Sequence, residues 1–369
     1  MSAIKILPDI YSVGVVDWNV RNFHGHTYTT KRGTTYNAYL IIDEKITLVD
    51  TVYGPFSTEL VENIRQVIPV DKIDYIIANH VETDHSGALP EIMKLAPRAK
   101  IFGTEKCQEG LHRYYYGGWD FQVVKSGEEL KLGKRKLVFL EAPMIHWPDS
   151  MFTYCPEEAL LMPNDAFGQH LATEERFADE VDPCVVWDEA AKYYANILWP
   201  LGQVILKKIE EVKAMRIPVK MIAPSHGVIW RKDPLQIIDK YAGWARNESL
   251  PRIVLVYETM WGATEKMARK IVEGIEKEGV SVKVFDIAVS DRTEVIKEML
   301  DAGGFIFGSS THDNGMLTMM AGFLDFVRGL KPRKRICAAF GSFGWAGGAV
   351  RQMEDITKEA GLELTQAGL

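Results

Sequence analysis

The chain has 369 residues, enough for two domains, and 47% of them are hydrophobic and 25% charged, as in an ordinary globular protein. A formal net charge of −7 argues against a nucleic-acid ligand, which would call for a basic surface. No apolar run reaches the length of a membrane span, and the N-terminal residues lack the pattern of a signal peptide. Cys107, Cys155, Cys184 and Cys337 form no CxxC pair, so we expect reduced thiols, a cytoplasmic protein and no cysteine-ligated iron centre.

The first part of the chain, residues 1–246, is predicted to form one domain with strands early and helices late. The expected elements are a hairpin over 35–52, a helix over 56–68, a buried strand over 73–80, hairpins over 130–143 and 151–165, a helix over 188–215 broken at Pro200, and a strand over 219–227.

The second part alternates strands with helices. A linker is indicated near 246–251, and residues 252–369 are predicted to form a second domain. Its expected elements include strands over 252–259, 280–287 and 303–310 and a helix over 264–279. This alternation is typical of a doubly wound parallel sheet, so the fold class is α/β.

Metal-ligand side chains collect after the short strands of the first domain. Four of them fall within six residues, in HVETDH, and three more each follow another apolar segment. The seven are His80, Glu82, Asp84, His85, His146, Asp165 and His226. One tetrahedral zinc needs only four ligands, so seven favour two metals with a bridging carboxylate. Oxygen with imidazole and no sulfur favours iron or manganese, although zinc remains open at this point.

The loops of the second domain indicate a flavin mononucleotide. In YETMWGATEKMA (257–268), Thr259, Gly262 and Thr264 are spaced as a phosphate cradle at a helix N-terminus, without the lysine of an NTP-binding loop. Two further loops, within 308–316 and 341–348, end other strands at the edge where ligands bind in such folds. The candidate FMN contacts are Thr259, Met260, Trp261, Gly262, Ala263, Thr264, Ser309, Ser310, Thr311, Asn314, Gly315, Ser342, Phe343, Gly344 and Trp345.

On these motifs the chain resembles the flavodiiron proteins, or A-type flavoproteins. The pattern H-x-E-x-D-H is followed by His, Asp and His, with 60 residues between His85 and His146, 18 between His146 and Asp165, and 60 between Asp165 and His226. The resemblance covers essentially the whole chain. It implies a metallo-β-lactamase-like αββα sandwich followed by a flavodoxin-like domain.

The resemblance also implies roles for single residues. His80, Glu82 and His146 would hold one iron, Asp84, His85 and His226 the other, and Asp165 would bridge them. His85 is the least certain ligand, because its counterpart turns away from the metal in some members. His24 and Tyr194 are the expected catalytic residues beside the ligands.

The implied activity is reduction of O₂ to water, of NO to N₂O, or of both, with no preference readable from the sequence. Electrons would pass through FMN from a rubredoxin-like protein or the coenzyme F420. The implied assembly is a head-to-tail homodimer or a pair of such dimers.

Two departures and two alternatives accompany this interpretation. Ser310 stands where many members have proline, and the chain is expected to stop short of a final flavodoxin strand and helix. One alternative is a binuclear zinc hydrolase with an appended flavodoxin-like module, and Glu82 argues against it. The other is a non-catalytic flavin electron carrier, and the complete ligand set argues against that.

Overall fold

A computed structural model describes residues 2–369 of the chain, which divide into two compact units. The first comprises the chain up to residue 26 together with 30–193 and 204–241. The second comprises 27–29, 194–203 and 242–369. All four cysteines are free thiols, and only Cys184 is exposed.

Short strands and helices alternate irregularly up to residue 245. The strands are β1 (Ile4–Leu7), β2 (Ile10–Ser12), β3 (Val15–Asp17), β4 (Asn22–Phe23), β5 (Tyr28–Thr29), β6 (Thr34–Tyr36), β7 (Tyr39–Ile41), β8 (Thr47–Val49), β9 (Tyr75–Ile77), β10 (Lys100–Gly103), β11 (Phe121–Val123), β12 (Glu129–Lys131), β13 (Lys136–Glu141), β14 (Met151–Cys155), β15 (Leu160–Met162) and β16 (Met221–Ile222). The helices are α1 (Ser57–Arg65), α2 (Thr83–Ser86), α3 (Leu89–Leu95), α4 (Glu105–Tyr115), α5 (Pro183–Tyr193), α6 (Gly202–Ala214) and α7 (Leu235–Ala245).

Two sheets form the centre of the first unit. One has seven strands in the order β1-β2-β7-β8-β9-β10-β11, and the other has five in the order β12-β13-β14-β15-β16. Side chains of both sheets, such as Ile41 and Ile77 from the first and Phe139 and Leu160 from the second, belong to one buried apolar cluster. The sheets therefore pack face to face, and each such fully buried side chain contributes about 1.5–3 kcal/mol by leaving water.

The region over 188–215, predicted as one helix broken at Pro200, contains two helices separated by turns of other helical types. Helix α5 starts at Pro183, earlier than predicted, and ends at Tyr193. A π-helical turn (Tyr194–Leu198) and a 3₁₀ turn (Trp199–Leu201) then separate α5 from α6. Pro200 has no N–H to donate to a regular helix, which accounts for the change of helical type near it.

The second unit contains the regular alternation that the sequence predicts. Its elements are β17 (Leu250–Glu258), α8 (Ala263–Lys277), β18 (Ser281–Asp286), α9 (Arg292–Met299), β19 (Ala302–His312), β20 (Gly315–Met316), α10 (Thr318–Leu330), β21 (Ile336–Ser342), α11 (Ala349–Glu359) and β22 (Glu363–Leu364).

The sheet of the second unit is parallel along the path β18-β17-β19-β21-β22, and β20 pairs antiparallel with β19. A Cβ at Gly308 of β19 would lie 2.1 Å from the ring of Phe340 on the neighbouring strand β21, so β19 needs glycine at this position. The expectation that the last flavodoxin strand is missing is wrong in one respect, because β22 pairs with Ile336–Cys337 as a fifth strand. Two residues are too short a run for hydrophobic periodicity to reveal.

Both expected fold types are confirmed. The first unit is the metallo-β-lactamase-like sandwich, and the second is the flavodoxin-like doubly wound sheet.

Candidate metal centre and flavin site

Most metal-ligand candidates of the first unit lie in loops just after strands, and Asp84 and His85 lie in the short helix α2. His80 follows β9, His146 follows β13, Asp165 follows β15 and His226 follows β16. Short buried strands end where the chain must bend, and the bends present their polar side chains at one edge of the sandwich.

Asp50 connects two of these loops through hydrogen bonds of its carboxylate. Its carboxylate accepts hydrogen bonds from the backbone N–H and the side-chain amide of Asn79, at 2.8 and 3.0 Å. It also accepts one from the amide of Asn164 at 3.3 Å. Asn79 precedes His80 and Asn164 precedes Asp165, so this buried carboxylate fixes the positions of two ligand loops. No sequence motif pointed to Asp50.

The seven candidates form two groups in which the ligand atoms lie within 4.8 Å of one another. The groups are His80, Glu82, His146 and Asp165, and Asp84, His85 and His226. All of these side chains are buried or nearly so. The structure thus brings together every metal-ligand residue that the sequence predicts.

Asp165 lies between the two groups and offers one oxygen to each. Its Oδ2 is 3.6 Å from His80 Nε2 and 3.3 Å from His146 Nε2. Its Oδ1 is 3.1 Å from His85 Nε2 and 3.4 Å from His226 Nε2. This is the arrangement that a carboxylate bridging two cations requires.

The side chain of His85 points into the site. Its Nε2 is 3.4 Å from Asp84 Oδ2, in addition to its approach to Asp165. His226 Nε2 lies 3.1 Å from the same Asp84 oxygen. His85 therefore stands in a ligand position in this chain and is not turned away.

The carboxylates and imidazoles of the centre shift one another's pKa values. Burial would raise the pKa of Glu82, but the imidazoles of His146, His24 and His80 hold it well below its usual value. Burial would lower the pKa of His146, yet Asp165 and Glu82 raise it to about 9. In the same way Asp165 and Asp84 raise the pKa of His226 to about 10 against the effect of burial. The cluster concentrates negative charge that needs bound cations, whether protons or metals.

Several buried atoms of the site make no hydrogen bond of regular geometry within residues 2–369, even where a group of opposite charge lies close. They are Asp84 Oδ1, His85 Nδ1, His85 Nε2 and Asp165 Oδ2. Buried polar atoms are rarely left unpaired, because each costs about 1–3 kcal/mol. Carboxylate and imidazole atoms left in this state around a shared aspartate fit a pair of metal ions, and a donor set without sulfur fits iron.

Two imidazoles are oriented by contacts of their Nδ1 atoms. His80 Nδ1 lies 3.0 Å from Asp149 Oδ2, which also accepts the Val81 N–H at 2.7 Å. His226 Nδ1 donates to the carbonyl of Thr35 at 2.6 Å. With Nδ1 occupied in this way, Nε2 is left to face the metal position. Asp149 was not among the predicted site residues, although it stands three residues after His146 in the same loop.

The tyrosine that contacts a candidate ligand is Tyr193 and not the predicted Tyr194. The hydroxyl of Tyr193 donates to Asp165 Oδ1 at 3.0 Å, whereas the ring of Tyr194 packs beside Trp244 in the second unit. Successive helical residues point roughly 100° apart, so only one of two adjacent tyrosines can face the ligand.

His24 does approach the ligand set. Its Nε2 is 3.3 Å from Glu82 Oε1, and its side chain is 32% exposed. It therefore lies between solvent and a ligand of the metal centre.

The predicted flavin loops of the second unit meet at three hydroxyls. Thr264 Oγ1, at the start of α8, is 2.8 Å from Ser310 Oγ and 2.9 Å from Ser342 Oγ. The hydroxyl of Thr259 accepts the N–H of Gly262, whose φ of 81° lets the chain turn into α8. Hydroxyls beside a helix N-terminus can bind a phosphate group.

A cavity of about 520 Å³ lies beside this cluster. The predicted residues that line it are Met260, Trp261, Ala263, Ser310, Thr311, Asn314, Ser342, Phe343, Gly344 and Trp345. Trp261 and Trp345 are 87% and 95% exposed, so neither ring is packed in the core, and both are free to cover a flat ligand.

Some predicted flavin contacts do not line the cavity. Ser309 is buried and its hydroxyl bonds the Ser310 carbonyl and the Leu317 N–H, because its side chain points to the opposite side of β19. Thr259, Gly262, Thr264 and Gly315 are also outside the lining, although Thr264 reaches it through its hydroxyl contacts. His312, Asp313 and Ala346 do line it and were not predicted.

Comparisons with known proteins match both units. The family model "ODP family beta lactamase" matches residues 34–227, and the "Flavodoxin" model matches residues 255–369. The chain is 51% identical over 362 residues to a nitric oxide reductase of Moorella thermoacetica, covering 98% of this chain and 91% of that relative. It is 43% identical over 367 residues to the anaerobic nitric oxide reductase flavorubredoxin of Escherichia coli, covering 98% of this chain and 77% of that relative.

Solved structures agree with these matches. The rubredoxin oxygen:oxidoreductase of Desulfovibrio gigas matches with a TM-score of 0.97 at 39% identity, over 100% of this chain and 92% of that one. The flavodiiron protein of Giardia intestinalis matches with a TM-score of 0.93 at 36% identity, again over 100% and 92%. The chain is a flavodiiron protein.

As a flavodiiron protein, the chain is an oxidoreductase whose cofactors are FMN and two iron ions. Family membership disfavours both the zinc hydrolase and the non-catalytic carrier that the sequence left open. Within residues 2–369, every helix is too short or too polar to cross a lipid bilayer.

Proposed function

We propose that this flavodiiron protein reduces NO to N₂O, O₂ to water, or both, at two irons held by the seven ligands described above. The observation that carries the proposal is Asp165, which presents one oxygen to each of two complete ligand groups. The relatives named as nitric oxide reductases and as an oxygen oxidoreductase span nearly the whole chain and support it.

The bound cofactors would supply electrons and a site for the gas, and the protein supplies position and protons. His80, Glu82 and His146 would hold one iron, and Asp84, His85 and His226 the other. Asp149 and the Thr35 carbonyl keep two of the imidazoles in the orientation that exposes Nε2 to the metal. Tyr193 holds the bridging carboxylate by its Oδ1.

Proton delivery is the second task of the chain, because both reactions consume a proton for each electron. His24 is the side chain placed for it, since it is partly exposed and contacts Glu82. We assign His24 the role of holding a proton at Nε2 near the metal position.

The activity assay tests the proposal directly. Iron-loaded, FMN-loaded protein should consume NO under anaerobic conditions with formation of N₂O, or consume O₂, when a chemically reduced rubredoxin is supplied. Asp165→Ala is the inactive comparison, and Asp43→Asn is the matched control, because Asp43 binds backbone N–H groups of Lys134 and Arg135 away from the ligands. Iron-loaded wild type inert toward both gases would refute the proposal, and hydrolysis of esters by a zinc-loaded form would favour the hydrolase.

The electron donor is proposed to be external, since the chain offers no cysteine cluster for an iron centre of its own. A rubredoxin-like protein or coenzyme F420 would reduce the flavin. Fast oxidation of NADH by the purified chain alone would contradict this.

The proposed assembly is a head-to-tail homodimer, in which the flavin of one chain serves the irons of the other. Helix α7 ends at Ala245 and β17 begins at Leu250, so the linker is short. Arg335 donates to the linker carbonyls of Asn247 and Glu248, at 2.8 and 3.2 Å, which restrains it further.

Complementation tests this assembly. A chain with Asp165→Ala is co-expressed with one made flavin-deficient by substitutions at Thr259, Gly262 and Thr264. Random pairing makes about half of the dimers mixed, each with one working pair of sites, so activity should recover to about a quarter of wild type. If flavin and irons met within one chain, no dimer would have a working pair and activity would stay at background.

A further inference from the structure

An apolar cavity of about 310 Å³ lies in the first unit, away from the ligand atoms. Helices α6 and α7 form one wall, with Ile205 and Ile209 from α6 and Ile238 from α7. The wall is apolar apart from four charged residues, which are Lys208, Lys213, Arg216 and Asp239.

The alternation of two strands builds the opposite wall. On β14 and β15, Met151, Leu160 and Met162 point into the core between the sheets. Their neighbours Phe152 and Leu161 line the cavity. The cavity therefore occupies the space between the outer face of the second sheet and the helices that cover it.

One part of the cavity wall is made by residues next to metal ligands. Ile145 precedes His146, and Ala166 and Phe167 follow Asp165, and all three line the cavity. Phe167 has a positive φ of 69° and its N–H donates to the hydroxyl of Tyr241, another lining residue, at 2.9 Å. The backbone that carries two iron ligands is thus also part of the wall of an apolar space.

Three of the four charged lining residues are paired. Lys208 Nζ is 2.6 Å from Glu211, and Lys213 Nζ is 2.8 Å from Asp239. These pairs leave little net charge to select an ionic ligand, so the wall chemistry favours a small apolar one.

We propose that this cavity binds the diatomic gas substrate and supplies it to the metal centre from behind the loops of His146 and Asp165. The inference rests on the proposed function, because NO and O₂ are the small apolar molecules which that function consumes. Apolar cavity walls of this kind can bind small apolar probes such as xenon. Gas held there is concentrated next to the ligand loops without any polar contact.

Xenon is the first probe. Crystals of the iron- and FMN-loaded protein are pressurised with xenon, and density is expected in the cavity between Leu161 and Ile209. In solution, xenon at a few bar should raise the KM for the gas substrate while kcat stays unchanged, as expected for competition at a binding step.

Filling the cavity is the second probe. Ile209→Phe adds volume at a buried wall position, and Ile209→Leu is the matched control that conserves volume. Val212→Phe fills the space from a half-buried position on the same helix and covers the case in which Ile209→Phe does not fold. The filled variants should lose xenon density and show a KM raised about fivefold, with kcat, iron content and FMN content as in the control.

The outcomes separate this inference from the proposed function. Wild type that reduces neither gas without xenon refutes the proposed function, and this inference fails with it. Wild type that turns over normally, with filled variants and xenon leaving KM unchanged, refutes the cavity assignment alone. Stoichiometric uptake of oleate that displaces xenon would also overturn it, in favour of an amphiphile site with Arg216 in its wall.

Discussion

The metal centre and the flavin cavity differ most in how much of each site the protein encloses. Asp165, the proposed bridge, is 2% exposed, and the other candidate ligands are buried or partly buried, whereas Trp261 and Trp345 beside the flavin cavity are 87% and 95% exposed. In the first site the protein alone positions the ligand side chains, through hydrogen bonds of Asp50, Asp149 and backbone carbonyls, and the metals would add only the compensating positive charge.

The flavin site is complete only in part. Its phosphate end is a tight cluster of three hydroxyls, while its aromatic end has rings that contact little until a ligand covers them. A charged cofactor therefore needs a rigid, buried set of ligands. A flat aromatic cofactor can itself provide part of the packing.

The largest expected effect comes from removing the shared ligand. Asp165→Ala should reduce NO and O₂ turnover to background, because both metals lose a ligand and the centre loses a negative charge. Iron analysis should show substoichiometric metal. FMN content and the flavin absorbance should remain as in wild type, because the hydroxyl cluster is untouched. Loss of flavin together with iron would show that the two sites are not independent.

The phosphate end of the flavin site should give the next effect. Thr264→Val removes a hydroxyl of the cluster at nearly constant shape. We expect FMN affinity to fall by about 1.5–3 kcal/mol, or about 10–150-fold, as for a hydrogen bond to a charged group.

Fluorescence titration of apoprotein with FMN measures this change. Thr357→Val is the matched control, because that buried threonine bonds the Glu354 carbonyl elsewhere in the same unit. Equal FMN affinity in both variants would place the phosphate elsewhere.

A smaller effect is expected from a residue that touches no metal. Asp149→Asn keeps an acceptor for the Val81 N–H but removes the charge that orients His80. Loss of such a partner costs about 10–100-fold in metal affinity or activity. Competition with a chelator measures the iron affinity, with Asp43→Asn as the control. An unchanged affinity would mean that packing alone orients His80.

The metal-ligand candidates could be found in the sequence because four of them follow strands that their own apolar residues make recognisable. His80, His146, Asp165 and His226 all come after such runs, and their spacing matches a family pattern. The strands with clear alternation were also predictable, whereas β22 is too short to produce any pattern.

What the sequence could not supply was the direction of single side chains. Ser309 and Ser310 are adjacent on β19, yet only Ser310 faces the flavin cavity. Asp149 acts through a hydrogen bond to a residue 69 positions away, a relation that no local spacing reveals. Tyr193 and Tyr194 are alike in sequence, and a helical offset decides which one contacts Asp165.

That choice between tyrosines gives the smallest expected effect and the sharpest test of the model of an enclosed metal cage. Tyr193→Phe removes one hydrogen bond, about 0.5–1.5 kcal/mol, from an Asp165 oxygen that still faces His85 and His226. Turnover should therefore fall only about twofold to tenfold, with both irons retained. The Mössbauer spectrum of the iron pair should shift, because the bridging carboxylate becomes a stronger donor once it stops accepting the hydrogen bond of the phenol.

Tyr154→Phe is the control, since its hydroxyl bonds the Pro218 carbonyl away from the ligands. A spectrum identical to wild type for Tyr193→Phe, or a larger loss for a Tyr194→Phe variant, would mean that Tyr193 does not hold the bridge.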